Sequence, residues 1–203
     1  SKGIGIGRVY IYKQYIPNIN EEIIDVSLID QELEKYVNVK KQAFLEITQI
    51  QKFLEDKNDE KSKIFGAHLE ILSDVAVIEE VNSQIKEMHY SFRYAVKNVY
   101  DMFIDMLSQV EDELIKERVA DLKDVRNRLL RISDGVPESN LSLLDQPSIV
   151  IAQDLYPSDT ATLDRKNVQA IITEVGGMTS HTAIIAKSYE IPAILGADHL
   201  LEE

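Results

Sequence analysis

The chain of 203 residues contains no cysteine. That absence excludes a disulfide framework, a thiolate zinc site and a cysteine nucleophile, so any chemistry must run on other side chains. No apolar stretch reaches the roughly 20 residues that a membrane helix needs, and the opening Ser1-Lys2-Gly3-Ile4 lacks the apolar segment of a signal peptide. A cytoplasmic protein is the expectation. Basic side chains are in short supply: 22 stand against 35 acidic ones, for a formal net charge of -13. Such a surface repels nucleic-acid phosphates and anionic lipid alike and would attract a basic partner. Neither nucleic acid nor membrane is expected as a partner.

Glycine and proline are nearly missing from the middle of the chain. Between residues 26 and 132 only Gly66 interrupts, and there is no proline. What fills that stretch is helical in pattern: Ile29, Leu33, Tyr36, Ala43, Ile47, Ile50 and Leu54 recur mostly at spacings of three, four or seven, behind Asp25 or Ser27 as a cap. Breaks fall at the polar run of residues 55–60, at Ser73-Asp74 and at Glu111-Asp112-Glu113, ahead of a last helix over residues 114–131. The expectation is a bundle of four main helices plus a short one.

The ends of the chain read differently. Gly3 to Tyr12 alternates glycines with β-branched and aromatic residues, as a strand would, and residues 14–25, with Pro17, form a connection. Asp134-Gly135-Val136-Pro137 stops the helical run. Beyond it, strands are expected at residues 148–152, 168–174 and 191–195, with helices at 157–165 and 180–189 between them. That βαβαβ alternation implies a mostly parallel sheet, which the opening strand can join. The fold class is therefore α + α/β: a helical bundle, residues 26–133, inserted into a small α/β domain of residues 1–20 and 136–203. Apolar residues at 44% and charged residues at 28% suit a folded globular protein of this design.

One segment carries chemistry. In Gly176-Gly177-Met178-Thr179-Ser180-His181-Thr182-Ala183-Ile184-Ile185-Ala186-Lys187, a glycine pair lets the chain turn between a strand and a helix, two hydroxyls follow, and a histidine falls in the first helical turn. Backbone N–H groups and the positive end of the helix dipole can hold phosphate oxygens there, an effect of roughly 0.3 to 1 kcal/mol. The same field keeps the imidazole neutral and nucleophilic. Thr179 and Ser180 can bond phosphoryl oxygens or cap the helix. No spacing of His with Asp or Glu suggests a metal site, and His89 and His199 have no supporting constellation.

This segment resembles the phosphohistidine signature of the phosphoenolpyruvate-utilising enzymes. Further stretches narrow the resemblance to Enzyme I of the bacterial sugar phosphotransferase system: Asp30-Gln31-Glu32-Leu33-Glu34, Ile64-Phe65-Gly66-Ala67-His68, Leu114-Ile115-Lys116-Glu117-Arg118-Val119-Ala120-Asp121, Pro157-Ser158-Asp159-Thr160 and Ile191-Pro192-Ala193-Ile194-Leu195-Gly196. The resemblance implies a swivelling phosphohistidine domain and the activity of a phosphoenolpyruvate-protein phosphotransferase. His181 would take a phosphoryl group on Nε2 from phosphoenolpyruvate and pass it reversibly to a histidine of the carrier HPr during sugar uptake. Thr160 matches a threonine that orients the imidazole, and Gly176, Gly177, Thr179 and Ser180 would shape the phosphate site.

In the family HPr docks on the helical insert. The helix after Ile64 carries one apolar stripe of Phe65, Leu69 and Leu72 and a second of Ile64, His68, Ile71 and Val75, the second being available to a partner. The resemblance extends that interface to Lys61, Asp74, Val77, Leu107, Leu114, Ile115 and Arg118, with His68 as an interface residue without a catalytic role. Glu70 and Ala76 stand where the family pattern has a methionine and a glutamate. The resemblance also implies a barrel domain beyond this sequence that binds phosphoenolpyruvate and Mg2+ and dimerises. The present chain is accordingly expected to be a monomer that binds no cofactor of its own and exchanges phosphoryl groups with HPr only. Two alternatives stay open at this point: the swivelling domain of a pyruvate phosphate dikinase or phosphoenolpyruvate synthase, and a non-catalytic helical interaction module.

Overall fold

The computed structural model describes residues 2–138, 141, 144–161, 163–177 and 180–201. They divide into two compact units: residues 16–138 form one, and the opening segment through Tyr15 together with the segment after Glu138 forms the other.

The first unit is all helix: α1 (Ile29–Glu55), α2 (Ser62–Leu72), α3 (Val75–Glu87), α4 (Phe92–Ser108) and α5 (Glu113–Ser133). Short polar side chains start these helices by accepting backbone N–H groups that have no intrahelical partner. The Asp25 carboxylate accepts the Ser27 N–H at 2.9 Å and opens a 3-10 turn (Val26–Leu28) that runs into α1. Asp74 caps α3, Ser91 caps α4 and Asp112 caps α5. Glu32 adds a cap from a distance: it is buried in α1 and accepts the Phe92 N–H at 2.8 Å, where α4 begins. Tyr36, Ala43, Ile47 and Leu54 form the buried stripe of α1, facing a core that includes Phe65, Val81, Val99 and Leu129.

A fourth break, unmarked by any Gly or Pro, separates α3 from α4. There His89 takes a positive φ of 55°, and Ser91 supplies the next cap. The region is stapled to the start of the unit, because Ser91 N–H bonds Glu22 O at 2.9 Å and Ile24 N–H bonds His89 O at 2.7 Å.

Buried charge ties α1 to α5. Glu46 Oε2 lies 2.6 Å from Arg128 Nη1 and also bonds Arg131. Arg128 Nη2 reaches Glu138 Oε1 at 2.6 Å, and Arg131 Nη1 donates to Val136 O at 2.7 Å. Burial alone would lower the Arg128 pKa, but Glu138, Asp124 and Glu46 more than offset that, so the guanidinium is held above its ordinary value.

The second unit is a parallel sheet in the order β1 (Arg8–Ile11), β2 (Ser148–Ala152), β3 (Val168–Thr173), β4 (Ala193–Leu195). Arg8 pairs with Ser148, Ile151 with Ile172, and Thr173 with Leu195. Parallel neighbours need crossovers, which here contain α6 (Pro157–Thr160) and α7 (His181–Ser188). Tyr12, Val150, Leu155, Ile171 and Ile191 build the core. At Gly7 the backbone runs so close to its neighbour that a Cβ would stand 2.7 Å from Pro147 O. The sheet agrees with the expected strands, but the first crossover helix is shorter than its pattern. α6 stops at Thr160, and Asp164 starts a turn of its own: its side chain accepts the Lys166 N–H and its carbonyl accepts the Asn167 and Val168 N–H groups.

Candidate functional site

β3 ends at Thr173, whose buried hydroxyl donates to Val175 O at 2.7 Å and bends the chain out of the sheet. Gly176 follows with φ at 108°, a left-handed setting that side chains disfavour. A Cβ at Gly176 would also press on Ser180 Oγ at 3.3 Å, whereas one at Gly177 would meet nothing within 4 Å. The first glycine is thus required by both backbone and neighbour, and the second borders open space. Met178 and Thr179 lie outside the described residues, so the expected role of Thr179 is not placed.

Ser180 is the N-cap of α7; its Oγ accepts the Ala183 N–H at 3.2 Å, and its carbonyl accepts the first intrahelical bond from Ile184. That use leaves the hydroxyl proton of Ser180 available to donate. His181 is then the first residue of the helix, half-buried, with its amide in the turn where the helix dipole is positive. Thr182 turns inward and bonds Leu155 O at 3.4 Å, which fixes the helix on the core.

The imidazole has a defined partner. Thr160 Oγ1 lies 2.7 Å from His181 Nε2, closer than its contacts to Pro157 O at 3.3 Å and Tyr156 O at 3.5 Å. Thr160 is fully buried. A hydroxyl has a single proton; when it goes to Nε2, the ring is neutral with its own proton on Nδ1. The geometry therefore brings together His181, Thr160, Ser180, Gly176 and Gly177 at the ends of β3 and α6 and the start of α7. Lys187 is exposed further along α7.

The residues expected at the partner surface divide. Asp74 is exposed and caps α3, Leu114 is 75% exposed at the start of α5, and Lys61, Ile64, Leu107, Ile115 and Arg118 are half-buried. His68, Ile71 and Val77 lie in the core instead, at 0%, 2% and 5% exposure. The expectation of a free second stripe is corrected for His68 and Ile71, because α1 and α5 both pack on α2, whereas Ile64 stays half-buried and Val75 is 65% exposed at the start of α3. His68 places Nε2 2.9 Å from Asp121 Oδ1 on α5 and its ring against Phe65, so it fastens two helices. Asp121 lies 53 residues further on, and nothing in the sequence pattern of either residue signals the pair. Glu70 and Ala76 are exposed.

Among the described residues no group of three or more His, Asp or Glu side chains is arranged to hold a metal ion. Among the same residues no helix is long and apolar enough to cross a membrane.

Comparison with known proteins gives consistent matches. Residues 1–118 match the family described as PEP-utilising enzyme, N-terminal, and residues 144–203 the family described as PEP-utilising enzyme, mobile domain. The chain is 40% identical over 203 residues to the phosphoenolpyruvate-protein phosphotransferase of Mycoplasma capricolum subsp. capricolum, covering 100% of this chain and 35% of that protein. With the phosphoenolpyruvate-protein phosphotransferase of Listeria innocua it shares 37% identity over 197 residues, covering 97% of this chain and 34% of that protein. The chain thus spans about a third of the length of these curated relatives. Among solved structures, an NMR solution structure of Enzyme I (nEIt) superposes with a TM-score of 0.82 at 40% identity, covering 98% of this chain and 81% of the other. The N-terminal domain of Enzyme 1 - Nitrogen has a TM-score of 0.63 at 20% identity, a likeness of fold alone.

Proposed function

Because the chain belongs to the PEP-utilising enzymes, as a homologue of the amino-terminal and phosphohistidine domains of Enzyme I, we propose that it is a phosphoryl carrier in which His181 is the nucleophile. The observation that carries this reading is the hydrogen bond between Thr160 Oγ1 and His181 Nε2 at the N-terminus of α7, beside the glycine turn.

The neutral imidazole with its proton on Nδ1 has its lone pair on Nε2, and that lone pair attacks phosphorus. The bond from phosphorus to the donor breaks as the Nε2–P bond forms. In the resting geometry Thr160 Oγ1 stands 2.7 Å from that nitrogen, so the ring must turn away from Thr160 before it can attack. Thr160 thereby holds the ring ready. The transferred oxygens would lie against the turn at Gly176 and Gly177 and the hydroxyl of Ser180, with Thr179 as a further donor.

The partner in this reading is HPr, whose phosphohistidine gives up its group to His181 and takes it back in the reverse step. Docking would use the helical unit, residues 26–133, on the exposed and half-buried members of the expected set: Lys61, Ile64, Asp74, Leu107, Leu114, Ile115 and Arg118. His68, Ile71 and Val77 would support that surface from beneath. Phosphoenolpyruvate would be the primary donor in the complete enzyme, on a domain outside this sequence.

The test is incubation of the chain with phosphorylated HPr, followed by mapping of the modified residue. An acid-labile, base-stable label on His181, lost in His181→Ala with the fold retained, is the expected result. An acid-stable label, or one that survives His181→Ala, would overturn the assignment.

A further inference from the structure

α6 is a single turn of four residues, too short to be stable by itself, since helix nucleation is unfavourable and a lone turn gains almost no propagation. Yet it carries Thr160, whose contact with His181 depends on tenths of an ångström. The position of that turn must be set from outside it.

Asp159, the neighbour of Thr160, makes the connections. Its Oδ2 accepts the Tyr156 N–H at 2.7 Å, closing the start of α6, and lies 3.3 Å from Gln14 Nε2. Its Oδ1 accepts a hydrogen bond from the Tyr12 hydroxyl, 147 residues upstream. Tyr12 itself is firmly placed: it is 4% exposed within the α/β core, and its backbone N–H donates to Ile151 O at 2.8 Å directly after β1. A charge-assisted bond from a buried phenol to a carboxylate is among the stronger and more directional links available to a side chain. A core position filled only for packing would need no such hydroxyl.

We infer that Tyr12 and Asp159 are positioning residues for the histidine: through their hydrogen bond the opening segment of the chain sets the place of Thr160, and with it the rotamer and tautomer of the His181 ring. The inference rests on the carrier reading of His181, but it concerns the resting ring and can be measured without any phosphoryl transfer. Neither residue touches the reacting atoms.

The readout is the Nε2 resonance of His181 in the full chain labelled with 15N-histidine, which reports the hydrogen bond from Thr160. Thr160→Val marks the fully released ring. Tyr12→Phe, which keeps the aromatic packing, moves the resonance in the same direction. Asp159→Ala moves it at least as far, and Asp159→Glu, which retains a carboxylate at the helix start, brings it most of the way back. Phosphoryl uptake from phosphorylated HPr slows by about tenfold in Tyr12→Phe, the scale expected when a reacting group is slightly misplaced. In Tyr12→Phe combined with Thr160→Val the rate is no lower than in Thr160→Val alone, because both changes cut one line of contact. Thermal unfolding of Tyr12→Phe establishes that the fold persists, and this variant decides the matter if Asp159→Ala does not fold.

An unmoved Nε2 resonance in Tyr12→Phe, alongside a clear shift in Thr160→Val, overturns the inference. So does an additive loss of rate in the double variant. The expected resonance shifts in a chain that never takes label at His181 would sink the carrier reading and leave the positioning of the ring standing.

Discussion

The helical unit and the α/β unit are held together at different distances along the chain. In the helical unit many of the polar links are local: Asp25 caps over two residues, Asp74 over two and three, and Asp112 over two. Its long-range polar links, such as Glu46 to Arg128 and Arg131, join two helices through pairs of opposite charge. In the α/β unit the structure depends on distant pieces meeting, Arg8 with Ser148 and Tyr12 with Asp159. The difference teaches where chemistry is placed. Charges within the helical core are neutralised by one another and hold a scaffold, whereas the hydroxyls and imidazole of the α/β unit sit at element ends, where a small rotation frees them.

Three substitutions sharpen that contrast. The largest effect is expected at Glu46, because Glu46→Ala removes the carboxylate that Arg128 and Arg131 share, leaving Arg128 to Glu138 and Arg131 to the Val136 carbonyl; the loss approaches the roughly 3 to 5 kcal/mol of a broken buried pair only so far as those remaining partners fail to compensate. Denaturant unfolding followed by helical circular dichroism should show it, and Glu46→Gln, which still accepts hydrogen bonds, should recover part of the loss. A change under 1 kcal/mol would mean that the pairs contribute little beyond packing. Gly7→Ala tests the other unit. The added methyl group must push β1 away from Pro147 O, at a cost of about 1 to 3 kcal/mol. Hydrogen exchange should accelerate at the Tyr12 N–H, which bonds Ile151 O, and unchanged protection there would refute the close approach. The smallest effect belongs to Ser91→Ala, which removes the cap of α4 and costs about 1 kcal/mol. It should appear as faster exchange at the Tyr94 N–H, which bonds Ser91 Oγ, with exchange at the Tyr12 N–H of the other unit unaltered.

The contrast also explains what the sequence could reveal. Strands at residues 148–152 and 168–173 were legible because a short β-branched run between turn residues has few other uses, and α7 was legible from Ser180 onward because its cap precedes its apolar positions. The break between α3 and α4 was not, since it is made by a left-handed His89 and a capping Ser91 rather than by Gly or Pro. The pattern extends α6 too far, to residue 165, because Asp164 looks like any helical acid, whereas its side chain holds the Lys166 N–H. At the site, His181 and Thr160 could be named from the motif and the resemblance. Tyr12 could not, because a tyrosine after a strand is common and its partner Asp159 stands in the other half of the chain. His68 shows the opposite failure: its helical spacing suggested a surface stripe, and only the tertiary packing of α1 and α5 makes it a core residue.

The pairing of β1 with β2 has a consequence for how the protein is made. On the ribosome the first strand emerges first, yet its partner at Ser148–Ile151 is polymerised only after the whole helical unit. At an elongation rate of about 5 to 20 residues per second that interval is roughly 7 to 27 s. Throughout it Ile4, Ile6, Val9 and Ile11, which are exposed in this structure too, are carried on an unpaired segment of high strand propensity. Closing so long a loop is entropically unfavourable, though only slowly more so with length. The helices, by contrast, can form from local contacts as they appear. Synthesis therefore imposes an order in which the helical unit is complete before β1 is fastened, so that among the described strands β1 waits longest for its partner.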